Sequence, residues 1–326
     1  MAVDLKETFV IGISATALFD MSESDQVYKD ANQKDRESAV TVYRDFMLQH
    51  ENDPLERGTG YPIVEALLSL NRFQTENNQA PLVDVIVMSR NSPDTGLRVL
   101  KNIRDYGIGV TRSAFTGGET VVDYLDAFDV DLFLTTSVED AQKVIDSKVC
   151  AAAVLKKPPK QTEDHTKSPE KQVRIAFDGD AVLFSDESEL VYKLNGIDAF
   201  HEQEDALQAV TMADGPYANL LRKLSKLQSR LPTSVDNPPV RIAIVTARSS
   251  PAEMRVINTL RKWGVNVDEA FFLGGVEKTK ILKAFRPHIF FDDQDVHLEK
   301  ASLIVPSGKV PYQSQSALSL HKEIKD

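Results

Sequence analysis

The chain says the same thing twice, and that repetition limits its fold more than any other feature. "VIVMSRNSP" (85–93) has a twin in "AIVTARSSP" (243–251). "RVLKNIRDYGIGVTRSAFTGG" (98–118) matches "RVINTLRKWGVNVDEAFFLGG" (255–275) at an offset of 157 residues, and "YLDAFDVDLFLTTS" (124–137) matches "ILKAFRPHIFFDDQ" (281–294) at the same offset. Upstream, "VIGISATALFDMSES" (10–24) aligns with "IAFDGDAVLFSDESE" (175–189) at an offset of 165. So many similar blocks in one order point to a tandem duplication. Between the copies lies "KKPPKQTEDHTKSPEKQ" (156–172), rich in Lys, Pro and charge, which reads as a surface linker. The expected organisation is a half over 1–155, a linker over 156–172 and a second half over 173–326.

Within each half, short apolar strands alternate with helices. Residues 252–263 carry Met254, Ile257, Leu260 and Trp263 at helical spacing, and Gly264 suits the C-terminal cap. "AFFLGG" and "HIFF" read as strands. Such alternation implies an α/β fold with a parallel sheet and helices on both faces. Each half also carries a stretch of helical character, at about 25–78 and 187–235. Placed at the sheet's carboxyl edge, it would form a cap-like insertion.

Charge narrows the function. A net charge of −11 and a pI near 5.1 oppose nucleic-acid binding, which needs clustered Lys and Arg. The one cysteine, Cys150, excludes an intramolecular disulfide and reads as strand packing. The amino terminus lacks the features of a signal peptide, and no apolar run approaches the roughly 20 residues of a membrane span. A cytoplasmic protein is the resulting expectation.

The second half holds the chemistry. "RIAFDGDAVLFSD" puts Asp178 and Asp180 directly after an apolar strand. Two carboxylates so spaced can divide the work of nucleophile and general acid/base, although Asp-Gly-Asp is also ordinary turn chemistry. In "IAIVTARSS", Thr246 places a hydroxyl at the same edge, where it can hold phosphoryl oxygens or cap the next helix. "GGVEKTKIL" offers Lys278 near a helix N-terminus, where a cation opposes the macrodipole unless an anion sits nearby. "PHIFFDDQD" ends a strand with Asp292 and Asp293. Adjacent carboxylates there repel unless a hard cation such as Mg²⁺ neutralises them.

Asp-x-Asp, Thr, Lys and Asp-Asp in this order resemble the four motifs of the haloacid dehalogenase superfamily of phosphohydrolases. A receiver domain uses similar groups, but its acidic pair precedes the phospho-accepting Asp. "FDGDAVLFSDESE", "VTARS", "RPHIFFDDQ", "SRNSPDTGLRV" and "AFTGG" narrow the resemblance to the cytosolic 5′-nucleotidase I family, over about residues 8–305. The resemblance implies two tandem haloacid-dehalogenase-like (Rossmannoid) halves. It also implies Mg²⁺-dependent hydrolysis of nucleoside 5′-monophosphates, with AMP favoured. Asp178 would be the nucleophile and Asp180 the general acid/base, while Thr246 and Lys278 would stabilise phosphoryl charge. Mg²⁺ would be held by Asp178, the Asp180 carbonyl and Asp292, with Asp293 as a further ligand or as support behind them. An ADP or ATP effector and self-association also follow from it. Two alternatives stay open at this point: a phosphatase or phosphotransferase for another small phosphate ester, and a nucleotide sensor without turnover.

At these offsets Asp178 aligns with Ile13, Asp180 with Ala15, Thr246 with Met88, Lys278 with Val121, and Asp292 and Asp293 with Thr135 and Thr136. The first half therefore reads as a degenerate, catalytically silent copy. Its loops keep Arg90, Asn91, Ser92, Thr95, Thr116 and Gly117, which read as contacts to the nucleoside or to an effector, with Arg248 as their counterpart in the second half. Scaffolding alone is the competing reading. Phe200 and Tyr217 are candidates to stack a base, against burial as core aromatics.

Overall fold

Seven-residue runs such as "VDVIVMS" and "VRIAIVT" are buried nearly throughout, the pattern of strands covered on both faces. The computed structural model, which describes residues 5–74, 80–157, 172–232 and 237–320, has ten strands of three to seven residues among them. They are β1 (Phe9–Ile13), β2 (Val83–Ser89), β3 (Arg112–Phe115), β4 (Leu132–Thr135) and β5 (Ala151–Leu155). The second set is β6 (Val173–Phe177), β7 (Val240–Thr246), β8 (Glu269–Phe272), β9 (Ile289–Asp292) and β10 (Ser307–Lys309).

All ten join one sheet in the order β3-β2-β1-β4-β5-β10-β9-β6-β7-β8. Read inward from either edge, the two runs of five have the same order. Every pairing is parallel except β5 with β10, where Leu155 faces Gly308 and Val154 faces Lys309. Gly308 permits this seam: a Cβ there would lie 3.0 Å from the Ala153 Cβ and 3.2 Å from Leu155 and Phe291 side chains. Because strand direction reverses at the seam, the carboxyl edge of one run adjoins the amino edge of the other.

One face of the sheet carries a single core fed by both runs. Ile11, Ile13, Val85 and Val87 share it with Ile175, Phe177, Ile242 and Ile244. The helices Tyr61–Leu68 and Ala218–Ser229 bury Val64, Leu67, Leu220, Leu221 and Leu224 there. On the other face each run keeps its own cluster, around Phe133 and Val144 in one and Phe290 and Leu298 in the other. Parts of the stretches expected to be cap-like are therefore core. Tyr217 is fully buried with its ring centroid 5.1 Å from that of Phe291, so it is a packing residue and not a base-stacking one. Cys150 sits just before β5 as a free thiol, and burial pushes its pKa up. Most of the expected linker, 158–171, lies outside the described residues. No helix among the described residues is long and apolar enough to cross a membrane.

The ladder corrects three of the correspondences drawn between the two runs. Ile13 pairs with Val87 and Leu134, and Phe177 pairs with Ile244 and Phe291. Ser14 N–H donates to the Leu134 carbonyl as Asp178 N–H donates to the Phe291 carbonyl, both at 2.8 Å. Ser14 and Thr16 thus occupy the places of Asp178 and Asp180, not Ile13 and Ala15. Likewise Ser89 pairs with Phe115 as Thr246 pairs with Phe272, so Ser89, not Met88, is the twin of Thr246. Strings of apolar residues slide past one another by one position without penalty, whereas a hydrogen-bonded register does not. The carboxyl edge of β1, β2 and β4 is lined by hydroxyls, and Thr16 and Thr136 hydroxyls meet at 2.6 Å.

Candidate active site

The carboxyl ends of β6, β7 and β9 converge, as ligand-binding edges of parallel sheets do. Asp178 follows β6 directly, Thr246 ends β7, and Asp292 ends β9. Asp178, Thr246, Lys278, Asp292 and Asp293 are each at most 5% exposed. The loop after β6 turns tightly. Gly179 N–H donates to Asp178 Oδ1 at 2.7 Å, and Leu183 and Phe184 N–H groups donate to the Gly179 carbonyl. Ala181 takes φ 58°, a left-handed conformation that a Cβ-bearing residue adopts at a cost. A Cβ on Gly179 would lie 3.3 Å from Thr246 Oγ1, so the Thr hydroxyl stands against the Asp178–Asp180 loop.

Lys278 is the hub. Its Nζ lies 2.8 Å from Asp178 Oδ2 and 2.7 Å from Asp292 Oδ2. Burial alone depresses an ammonium pKa, but the two carboxylates outweigh burial and hold Lys278 above its ordinary range. Burial pushes the Asp178 carboxyl up to about 7 against the pull of Lys278. Asp292 goes the other way, because Lys278 and His297 outweigh its burial and hold it below the usual range. Burial, reinforced by Glu189, Asp292 and Asp178, pushes Asp293 well up.

The acidic pair is not symmetric. Asp292 Oδ1 accepts from Gln294 N–H at 2.8 Å, and His297 Nδ1 lies 3.1 Å from Oδ2. With Lys278 on Oδ2 as well, Asp292 is fully engaged. Asp293 holds only one oxygen engaged: Tyr312 Oη donates to Oδ2, while the buried Oδ1 has no hydrogen-bond partner. A second such oxygen, Glu189 Oε2, is buried and unpartnered too, and Gln294 Nε2 donates to Glu189 Oε1 at 3.0 Å. Buried anionic oxygens left this way are costly unless a cation takes them. Asp178, Asp292 and His297 bring donor atoms within 4.8 Å of one another. Lys278 takes Oδ2 of both of those carboxylates, Gly179 N–H takes Asp178 Oδ1 and Gln294 N–H takes Asp292 Oδ1, so of the three buried carboxylates Asp293 offers the oxygen without a hydrogen-bond partner.

Asp180 points to a different network. Arg248 binds it through both Nε and Nη2 and sends Nη1 to Glu204. Arg255 Nη1 and Ser188 Oγ donate to the other Glu204 oxygen, each at 2.8 Å. Glu204 lies on the helix Glu187–Ala206, so this inserted segment does reach the site. Phe200 of the same helix places its ring 5.3 Å from the Arg248 guanidinium, where it packs against a charged group. Arg248 is 3% exposed and its guanidinium is committed to carboxylates, not turned towards a ligand.

The structure brings together Asp178, Asp180, Thr246, Lys278, Asp292 and Asp293. It does not bring Arg90, Asn91, Ser92, Thr95, Thr116 or Gly117 to them. Those residues stand at the carboxyl ends of β2 and β3 and bond locally. Arg90 pairs with Asp140, Tyr43 Oη donates to Asn91 at 3.2 Å, Ser92 and Thr95 hydroxyls meet at 3.1 Å, Thr116 Oγ1 donates to the Glu119 carbonyl at 2.6 Å, and Gly117 N–H donates to the Asn91 carbonyl. Six strand spacings of roughly 4.8 Å separate β2 from β6 along the sheet, and the seam reverses strand direction between them. This corrects the expectation that these loops take the nucleoside of a substrate whose phosphate lies at Asp178. Glu189, Glu204, Arg255, His297 and Tyr312 were not singled out in the sequence. Of these only His297 had a local signal, a His five residues beyond the first Asp of the acidic pair.

Comparison with known proteins adds to this geometry. A family model described as 5′-nucleotidase matches residues 1–317. Cytosolic 5′-nucleotidase 1B of Homo sapiens is 33% identical over 301 residues, which is 91% of this chain and 47% of that protein. The chain thus spans about half the length of the curated relative it matches.

Proposed function

The chain belongs to the 5′-nucleotidase family, and from that premise we propose that it hydrolyses nucleoside 5′-monophosphates, AMP foremost, in a Mg²⁺-dependent reaction. Residues 1–155 and 173–326 would each be a haloacid-dehalogenase-like half, with only the second catalytic. The observation that carries the reading is Lys278 held between Asp178 and Asp292 beside the unpartnered oxygen of Asp293.

Asp178 is the nucleophile. Its carboxylate oxygen attacks phosphorus, the bond from phosphorus to the ribose 5′-oxygen breaks, and the departing oxygen takes a proton from the Asp180 carboxyl. Water then attacks phosphorus of the aspartyl-phosphate and gives its proton to Asp180. The acyl–phosphate bond breaks and both carboxylates return to their starting state. Thr246 donates its hydroxyl, and Lys278 its ammonium, to phosphoryl oxygens as charge spreads over them. Asp292 anchors Lys278. Mg²⁺ would be held by Asp178, Asp293 and the Asp180 carbonyl, and when bound it supplies charge neutralisation at the phosphoryl group.

The test is phosphate release from a panel of nucleoside monophosphates and other small phosphate esters, with wild type and Asp178→Asn. Turnover of AMP that vanishes in Asp178→Asn is the expected result. Phosphate release by the variant near the wild-type rate would remove Asp178 from its role. A preference for a non-nucleotide ester would replace the substrate.

A further inference from the structure

Residues 310–320 follow β10 and run as a strap across the seam, tying the amino-terminal run of strands to Asp293. Val310 N–H donates to the Asp292 carbonyl at 2.9 Å. Two residues on, Tyr312 Oη donates to Asp293 Oδ2. The strap is then pinned by the helix Val138–Ser147, which belongs to the other run of strands. Gln142 Nε2 donates to the Tyr312 carbonyl at 2.8 Å, and Ser314 donates to both oxygens of Asp146, N–H and hydroxyl each at 2.7 Å. Further along, Leu318 N–H donates to Asp186 Oδ2 at 3.1 Å, at the N-cap of the helix carrying Glu189 and Glu204.

We infer that Tyr312 is a positioning residue for the cation, and that the catalytically silent run of strands serves the active site by clamping the strap that carries it. This rests on the cation reading above. Tyr312 holds one oxygen of Asp293, which fixes the carboxylate's rotation and leaves Oδ1 as the free ligand atom. An aspartate with neither oxygen held rotates about its side-chain torsions, and ordering it costs part of the binding free energy. Groups that hold metal ligands in this way are worth about 10–100-fold in affinity. Four strap bonds involve Gln142 and Asp146, which are 168 to 172 residues away from the groups they hold. The role of the amino-terminal run therefore reaches the site through the strap.

The experiment titrates the full-length chain with Mn²⁺, followed by electron paramagnetic resonance, alongside Mg²⁺-dependent phosphate release from AMP. Tyr312→Phe keeps the ring and removes the hydroxyl. It should weaken Mn²⁺ binding about 10–100-fold, with kcat recovering towards wild type at saturating cation. Asp146→Ala, on the surface and far from the chemistry, should weaken binding in the same direction by less. The double variant should bind no more weakly than Tyr312→Phe, because both act along one path. Wild-type binding matched by either single variant overturns the inference and leaves the cation reading standing. Absence of Mn²⁺ binding to the wild-type chain overturns both.

Discussion

Arg248 grips Asp180 with two parallel bonds, Nε to Oδ2 at 2.7 Å and Nη2 to Oδ1 at 2.6 Å. A guanidinium fork matches a carboxylate in both distance and plane, and a lysine ammonium does not. In the proposed mechanism Arg248 would therefore set the direction in which Asp180 presents its carboxyl to the leaving oxygen. Arg248→Lys should lower kcat on AMP by roughly 100-fold, the scale of a misplacement of about 1 Å, with KM little changed. A rise in KM at constant kcat would instead make Arg248 a substrate-binding group.

Glu204 is the counter-charge behind this grip. It is fully buried and takes Arg248 on one oxygen and Arg255 and Ser188 on the other. Removing its charge leaves Arg248 with Asp180 and leaves the buried Arg255 guanidinium with the Val210 carbonyl in place of a carboxylate. Glu204→Gln should cost about 3 kcal/mol of unfolding free energy, within the range for breaking a buried pair. Urea unfolding measures it. A loss below about 0.5 kcal/mol, the scale of an ordinary surface substitution, would show that the network is not a stability element.

What the sequence discloses here is what runs in local order. Asp178, Asp180, Thr246, Lys278, Asp292 and Asp293 each end or follow a strand, and their order along the chain is itself informative. Glu204, Arg255 and Tyr312 lie in ordinary helical or coil strings, and only folding brings them to Asp180 and Asp293. The seam was hidden for another reason. β10 is "SGK", three residues following Pro306, with no apolar alternation to mark it. Its antiparallel pairing with β5 decides that the Arg90 loop and Asp178 do not share a cleft. Strand alternation alone carried no information on that reversal.

The two members of the acidic pair should separate under mutation. Asp293→Asn removes the charge behind the unpartnered Oδ1, so the Mg²⁺ concentration for half-maximal rate should rise by at least about 10-fold. Asp292→Asn should leave that concentration closer to wild type and lower kcat, since Lys278 loses one of its two anchors. Chelation should abolish turnover in the wild type. The reverse pattern, with Asp292 controlling Mg²⁺ demand and Asp293 only kcat, would exchange the two roles.

The pH dependence of stability should carry the mark of His288. Its imidazole is largely buried, and Arg174 N–H donates to its Nδ1 at 3.1 Å. Burial is the larger effect and pushes its pKa from 6.5 down to about 4. The unfolded chain therefore takes up a proton near pH 6.5, while the folded chain resists until about pH 4. Stability is full above pH 6.5 and is lost as pH falls towards 4, by up to about 3 kcal/mol from this residue. Asn at this position offers an amide oxygen to Arg174 N–H and does not titrate. His288→Asn should thus flatten the decline between pH 6.5 and 4 in thermal or urea unfolding, relative to wild type. Equal slopes in the two proteins would mean that His288 takes its proton as readily folded as unfolded, and that acid destabilisation comes from other groups.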